Sequence, residues 1–402
     1  MKRVLLPVLL FFILSLPGEA QGLDDFFGEF FGIPSRVERK PFSFTGDLLL
    51  DWTFLNDEIR PGDPEGLVSG TMAGVRLTPF AGIKVDRGRG GIHQVFAGVD
   101  FFKEFGGDPT RVGDIQLYYR YDNRFGHTEF SALAGSFPRL KTEGDYDRMI
   151  FSDEVRFYDN SLDGLLLQFR RPKSFYEICL DWNGQYGTVR REEFNVFTYG
   201  ESALLPWMKL GWEGMFHHYA NSVVAKGVVD DHILNPWILF DFASSTRLQV
   251  LSAKVGPVVS YQRDRRYEDI EFPWGFSLTT DIRNWGFGVR NFLYYGWSMV
   301  PYFYKMDSTG ARFGNDLYMR SLKAALDTGY NGGLADILSF YWAPRLGDFL
   351  SVRISCELLF NRGNYIGMDQ YGTLTLNLEK LWRRSSLRTA SRRQPSKYQY
   401  SL

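Results

Sequence analysis

Cysteine and histidine are scarce in this chain of 402 residues. It has two cysteines, Cys179 and Cys356, and five histidines. So few cysteines exclude a disulfide-stapled scaffold. The histidines His93, His127, His217, His218 and His232 do not fall at metal-ligand spacing with cysteine, so no metal site or cofactor is expected. No G-x-S-x-G, H-E-x-x-H or glycine-rich phosphate motif is present. The formal net charge is -1, which gives no basic field for a nucleic-acid partner. After the first twenty residues there is no run of about eighteen apolar residues, the length a helix needs to cross a bilayer. Mean hydropathy is -0.23, mildly polar, which also argues against a bundle of helical spans.

The first twenty residues are different. Lys2 and Arg3 form a positive start, and VLLPVLLFFILSL runs apolar from Val4 to Leu16. Pro17, Gly18, Glu19 and Ala20 follow, with small residues where a signal peptidase cuts. This pattern predicts a cleaved secretory signal over 1–20 and a mature start near Gln21. No cysteine lies near the cut, so lipid attachment there is not indicated.

Aromatic residues are abundant at 17%, with 35 Phe, 22 Tyr and 10 Trp, and glycine reaches 41. Many segments alternate apolar and polar residues, which a strand places on opposite faces. Between Thr71 and Asp86, Val75, Leu77, Pro79, Ala81, Ile83 and Val85 share one face. Arg76, Thr78, Gly82, Lys84 and Asp86 share the other, with Phe80 as the exception. Between Phe349 and Phe360, Leu350, Val352, Ile354, Cys356, Leu358 and Phe360 alternate with Ser351, Arg353, Ser355 and Glu357. The same rhythm runs from Tyr176 to Trp182, from Met208 to Phe216 and from Phe272 to Ile282. Further strands are expected at Thr45–Phe54, Gly91–Phe102, Val112–Tyr121, His127–Ser136, Gly164–Arg171 and Glu193–Tyr199. The last are expected at Ile233–Phe242, Leu248–Gln262, Phe287–Trp297, Leu334–Trp342 and Tyr371–Lys380. The total is about sixteen, between fourteen and eighteen. Cys179 shares a face with Glu177 and Asp181, while Cys356 sits on an apolar face, so a bridge between them is not expected.

The polar faces carry full charges and must be wet, so the opposite faces must meet an apolar medium. A secreted sandwich has shorter strands and packs its inner faces on a second sheet. The expected fold is therefore an all-β, antiparallel up-and-down transmembrane barrel. Links at Arg87–Gly90, Asn123–Gly126, Pro172–Lys173 and Asn284–Gly286 are short. Those at Asn56–Ser69, Phe137–Leu162, Asn221–Asp231 and Pro301–Gly333 are long, and long links face outward in such barrels. Residues 21–44 form a leader. Its Phe26, Phe27, Phe30, Phe31 and Ile33 fit either an amphipathic turn or plug, or a flexible lead-in. The barrel spans 45–382. It closes near Trp382, and residues 383–402 are a basic tail.

Over Thr45–Trp382 the chain resembles bacterial outer-membrane barrels of the porin type. The resemblance lies in architecture and in no specific motif, so no family's functional residues transfer. It implies passage of small polar solutes through a polar lumen in the cell outer membrane. The partners expected are outer-membrane lipid, those solutes and the barrel-assembly machinery. Homo-oligomerisation is left open, since no interface strand is identifiable. The segment expected to shape the path is Gly135–Leu162, dense in both signs of charge and in aromatics. It folds either into the lumen, with Tyr146, Phe151, Phe157 and Tyr158 as apolar anchors, or outward as a solvated loop. Pore-lining or constriction candidates are Arg139, Lys141, Glu143, Asp145, Arg148, Asp153, Glu154 and Arg156 in this segment. Arg76, Lys84, Arg353 and Glu357 are the candidates on the wall.

Two other readings differ in class. One is a non-conducting structural or adhesive barrel. The other is a barrel lipase or protease, but no residue is assigned a catalytic role and no enzyme is expected. His127, Glu129 and Ser131 line up on one face, but they are too far apart along a strand for a direct relay.

Overall fold

The computed structural model describes residues 42–60, 69–107, 111–151, 153–224, 226–299, 328, 332–347 and 349–378. The strands are β1 (Phe42–Ile59), β2 (Gly70–Asp86), β3 (Ile92–Glu104), β4 (Arg111–Phe125), β5 (Thr128–Pro138) and β6 (Ser161–Arg171). They continue with β7 (Ser174–Gly184), β8 (Glu193–Leu205), β9 (Met208–Tyr219), β10 (Val229–Asp241), β11 (Val250–Asp264) and β12 (Asp269–Glu271). The last are β13 (Trp274–Asn284), β14 (Phe287–Gly296), β15 (Gly333–Trp342), β16 (Leu350–Asn361) and β17 (Asn364–Asn377). Among the described residues a short α-helix, α1, covers Asp153–Tyr158.

Every pairing between these strands is antiparallel, and apart from β12 and β13 each strand pairs with its neighbours in sequence. β12 and β13 both pair with β11 and form two pieces of one wall strand. The sheet closes where β1 meets β17, with Leu49 opposite Asn377 and Ile59 opposite Gly367. The fold is a closed barrel of sixteen wall strands. Closure leaves no free edge, so every one of the sixteen wall strands has two partners. The expected sixteen strands are all present.

The alternation assigns the faces as expected. Leu77, Ile83, Val95, Ile115, Leu117, Ile178, Ile238 and Ile354 lie exposed on the outside. A water-soluble surface does not carry such a continuous apolar belt. Aromatic residues border it at both ends. Phe42, Phe44, Phe125, Trp207, Trp285 and Phe287 are exposed at one end, and Phe105, Trp182, Phe272, Trp274, Tyr295 and Trp297 at the other. That distribution is the one a bilayer selects.

Turn chemistry explains the short links. Trp285 and Gly286 have φ of 50° and 82°, and Arg362 and Gly363 have 51° and 77°. Two successive positive φ values match the twist of a tight hairpin, and glycine takes the second without strain. The longer links, including those at 139–160 and 220–228, gather at one end of the barrel.

Some boundaries differ from expectation. β1 begins at Phe42, three residues inside the expected leader, and runs to Ile59, into the expected loop. Asp57 and Glu58 give it a loop-like composition, yet Asp57 pairs with both Gly70 and Asp369. β17 starts at Asn364 rather than Tyr371 and ends at Asn377. The predicted strands beginning at Gly91 and His127 start one residue later. Residues 139–160 are the true link of the segment expected at Phe137–Leu162, because its first two and last two residues are in strands. The expected link at Asn221–Asp231 ends earlier, with β10 starting at Val229. The signal, the leader up to residue 41, the closing residue Trp382, the basic tail and most of Pro301–Gly333 lie outside the described residues.

Cys179 and Cys356 are both free thiols, Cys179 buried inside the barrel and Cys356 half-buried. His217 faces inward and bonds Asn195 at 2.8 Å, while His218 meets Asp230 at 2.8 Å on the other face.

Candidate functional site: a charged loop across the lumen

The β5–β6 link, residues 139–160, runs through the inside of the barrel. Its apolar residues explain why. Met149, Ile150 and Val155 are fully buried, and Tyr146, Phe151 and Phe157 nearly so. Tyr146 packs edge-on to Phe151 at 4.8 Å and to Tyr199 on β8 at 5.5 Å, and Phe151 lies 4.6 Å from Phe197. Phe157 meets Phe102 on β3 at 5.0 Å, and Tyr158 stays exposed beside it. Aromatic pairs of this kind add about 0.5–1.5 kcal/mol each beyond the area they bury.

Gly144 lets the loop lie flat on the wall. A Cβ there would stand 2.6 Å from the Tyr146 ring and 2.8 Å from Tyr199 Cβ. The adjacent backbone N–H groups of Glu143 and Gly144 donate to the Glu177 carboxylate on β7 at 2.7 and 3.2 Å. A buried carboxylate there satisfies loop donors that would otherwise lose water.

Charged residues fasten the loop on every side. Arg139 donates to Asp181 on β7 at 3.2 Å and to Asp159 at 2.9 Å. Lys141 reaches Asp47 on β1 at 2.9 Å. Arg170 on β6 pairs with Glu143 at 2.5 Å. Arg148 pairs with Glu357 on β16, and Arg76 on β2 bonds both Asp100 and the Phe157 carbonyl.

Asp147 has the densest set of partners. Its carboxylate accepts from Lys254 on β11 at 2.8 Å, Thr279 on β13 at 3.0 Å and Arg290 on β14 at 3.3 Å. Its own N–H donates to Glu213 on β9 at 2.5 Å. Lys254 also meets Glu213 at 3.1 Å. Burial alone would raise the Asp147 carboxyl, but Lys254 and then Arg290 outweigh it and hold it down to about 2. Burial, with Glu177 nearby, pushes the Tyr146 hydroxyl well above its ordinary range.

The loop thus bonds or packs against β1, β2, β3, β6, β7, β8, β9, β11, β13, β14 and β16. On the far side from its root, a cleft remains between the loop and β14–β17. Arg148, Arg290, Arg353, Ser339, Tyr146 and Tyr371 are among its lining residues. Behind it, Glu357 sits directly opposite Asp369, which sits opposite Asp57.

The candidate residues separate into groups. Arg148 and Arg353 line the cleft, and Glu357 lies buried behind them. Arg139, Lys141 and Arg76 are buried in ion pairs, so they anchor the loop and do not border open water. Glu143 is exposed in its pair with Arg170, and Asp145 is half-buried. Lys84 is half-buried on β2, near the short-turn end. Asp153, Glu154 and Arg156 lie on α1, and their side chains fall outside the described residues. The wall partners Asp47, Lys254, Thr279 and Arg290 are not among the candidates read from the sequence. They look like ordinary polar-face residues, and only the path of the loop singles them out. The exception Phe80 is likewise explained. It faces inward and packs on Tyr118 at 5.7 Å, beside Phe96 and Phe137.

No family model matches the chain, and no curated protein matches it. Solved structures do resemble it. One is a loop-deletion mutant of OmpT, an outer-membrane protein of Vibrio cholerae, with TM-score 0.49 and 9% identity. The match covers 84% of this chain and all of that one. A second is OmpT in a trimer form, at TM-score 0.47, 9% identity and the same coverage. A third is a triple mutant of the Rhodopseudomonas blastica porin, at TM-score 0.40 and 9% identity, covering 83% of this chain and all of that one. The barrel assignment itself rests on the closed hydrogen-bonded wall and the apolar outer face of this chain.

Proposed function

We propose that this barrel sits in a bacterial outer membrane and passes small polar solutes through its lumen. One observation carries the reading. The loop is pinned across a sixteen-strand wall and leaves a charged cleft beside it. A barrel of about eight strands is filled by its own side chains, whereas about sixteen leave space that an inward loop can narrow. Fixed charges of both signs around the cleft would order water and select solutes. The long links would face the exterior and the short turns the periplasm.

A second reading, a barrel closed at rest, is favoured by the apolar packing of the interior around Phe80, Phe96, Tyr118 and Phe137. Planar-bilayer recording of the folded protein separates the two. Discrete conductance steps support the pore. A correctly folded sample with no steps overturns it.

A further inference from the structure

The charges around the cleft are not presented evenly. The Arg148, Arg290 and Arg353 side chains keep 26%, 20% and 14% of their surface exposed. The carboxylates that partner them, Asp147 and Glu357, keep 2% and 0%. The acids are therefore hidden beneath the guanidinium groups that they hold in place. Arg353 is further fixed over the Tyr341 ring, 4.7 Å from its centroid. Arginine presents donors in a planar fork that matches a carboxylate with two parallel bonds. Tyr146, Phe151, Phe292 and Ile337 close the same cleft with apolar surface.

We infer that this cleft is a binding site for small monocarboxylates with a flat apolar body, the carboxylate held by Arg290 and Arg353 and the body set against the aromatic wall. The inference rests on the pore reading only in making the site a station on a solute's path. The surface that meets the solute carries three guanidinium groups, while Asp147, which lines the same cleft, and Glu357 keep only 2% and 0% of their side-chain surface exposed. A neutral analogue loses the charge-assisted bonds, and a cationic analogue meets like charge.

The test is calorimetry on the folded barrel in detergent, which needs no conductance. Benzoate, benzyl alcohol and benzylamine serve as probes. Benzoate should bind about tenfold to a hundredfold more tightly than benzyl alcohol, and benzylamine should not bind measurably. Arg353→Gln should weaken benzoate by about tenfold and leave benzyl alcohol unchanged, and Arg353→Lys should recover part of the loss. Equal affinity for benzoate and benzyl alcohol, or tighter binding of benzylamine, overturns the site. The wild-type comparison stands even where a variant does not fold. Conductance without benzoate preference removes the site and keeps the pore. Benzoate binding without conductance does the reverse.

Discussion

Replacing Asp147 with asparagine keeps the size of the side chain and removes its charge. The carboxylate of Asp147 is buried and holds Lys254 at 2.8 Å and Arg290 at 3.3 Å. Breaking a buried pair by removing one partner costs about 3–5 kcal/mol. Glu213 stays 3.1 Å from Lys254 and offsets part of that loss. We therefore expect the docked loop to lose about 2–3 kcal/mol, a shift of roughly 30- to 150-fold toward release. Limited trypsin digestion of the folded barrel reads this shift, because Lys141 and Arg148 become cleavable only when the loop leaves the wall. The cutting rate follows the open population when reclosure is fast. The sign of the pH dependence follows from the same group. Asp147 is held down to about 2 when docked, against about 3.9 when free. Its contribution is thus complete above about pH 4 and fades as pH falls toward 2. Pepsin should begin to cut the wild-type loop only at the acid end of that window, while Asp147→Asn is cut throughout. Equal trypsin rates in the two proteins would refute the claim that Asp147 fastens the loop.

Other outcomes follow from the same structure. Deleting Lys141–Asp153 should raise single-channel conductance severalfold; an unchanged value would mean that the loop does not narrow the path. Tyr146→Ala removes the ring packed against Phe151 and Tyr199 and should destabilise the loop by about 3–5 kcal/mol, seen as faster digestion at Lys141 and Arg148. Ile115→Arg places a charge on the apolar belt and should cost about 2–4 kcal/mol in urea-dependent folding into vesicles if it lies near the midplane. On the lumen face, Lys84→Gln should change that value by less than about 0.5 kcal/mol. Maleimide should label Cys179 only after unfolding, and reducing agent should not shift the protein on a gel.

Much of the wall was legible in the sequence. β2 and β16 show why: each alternates over most of its length, because one face meets hydrocarbon and the other meets water or polar partners. Where that contrast fails, the signal fails. Phe80 breaks the pattern of β2 because its stretch of the inner face is covered by aromatic packing rather than water. The ends of β1 and β17 were missed because Asp57 and Asp369 read as loop residues, yet both lie in the ladder. Composition marked Gly135–Leu162 as a segment rich in aromatics and in both signs of charge and left its direction open. The cross-lumen bonds settle that direction, with Lys141 reaching a residue 94 positions away and Asp147 one 132 positions away. Such partners leave no local trace, since Lys254 or Thr279 on a wet face is unremarkable by itself. The anchoring role of Arg139 and Lys141 was hidden for the same reason.

The central claim is that a loop pinned across the lumen leaves a conducting path beside it. Single-channel recording of the folded protein, before and after release of the loop by Asp147→Asn, tests it most directly. The account predicts discrete steps for the wild type and larger, noisier steps for the variant. No steps from either protein, with both correctly folded, would contradict it.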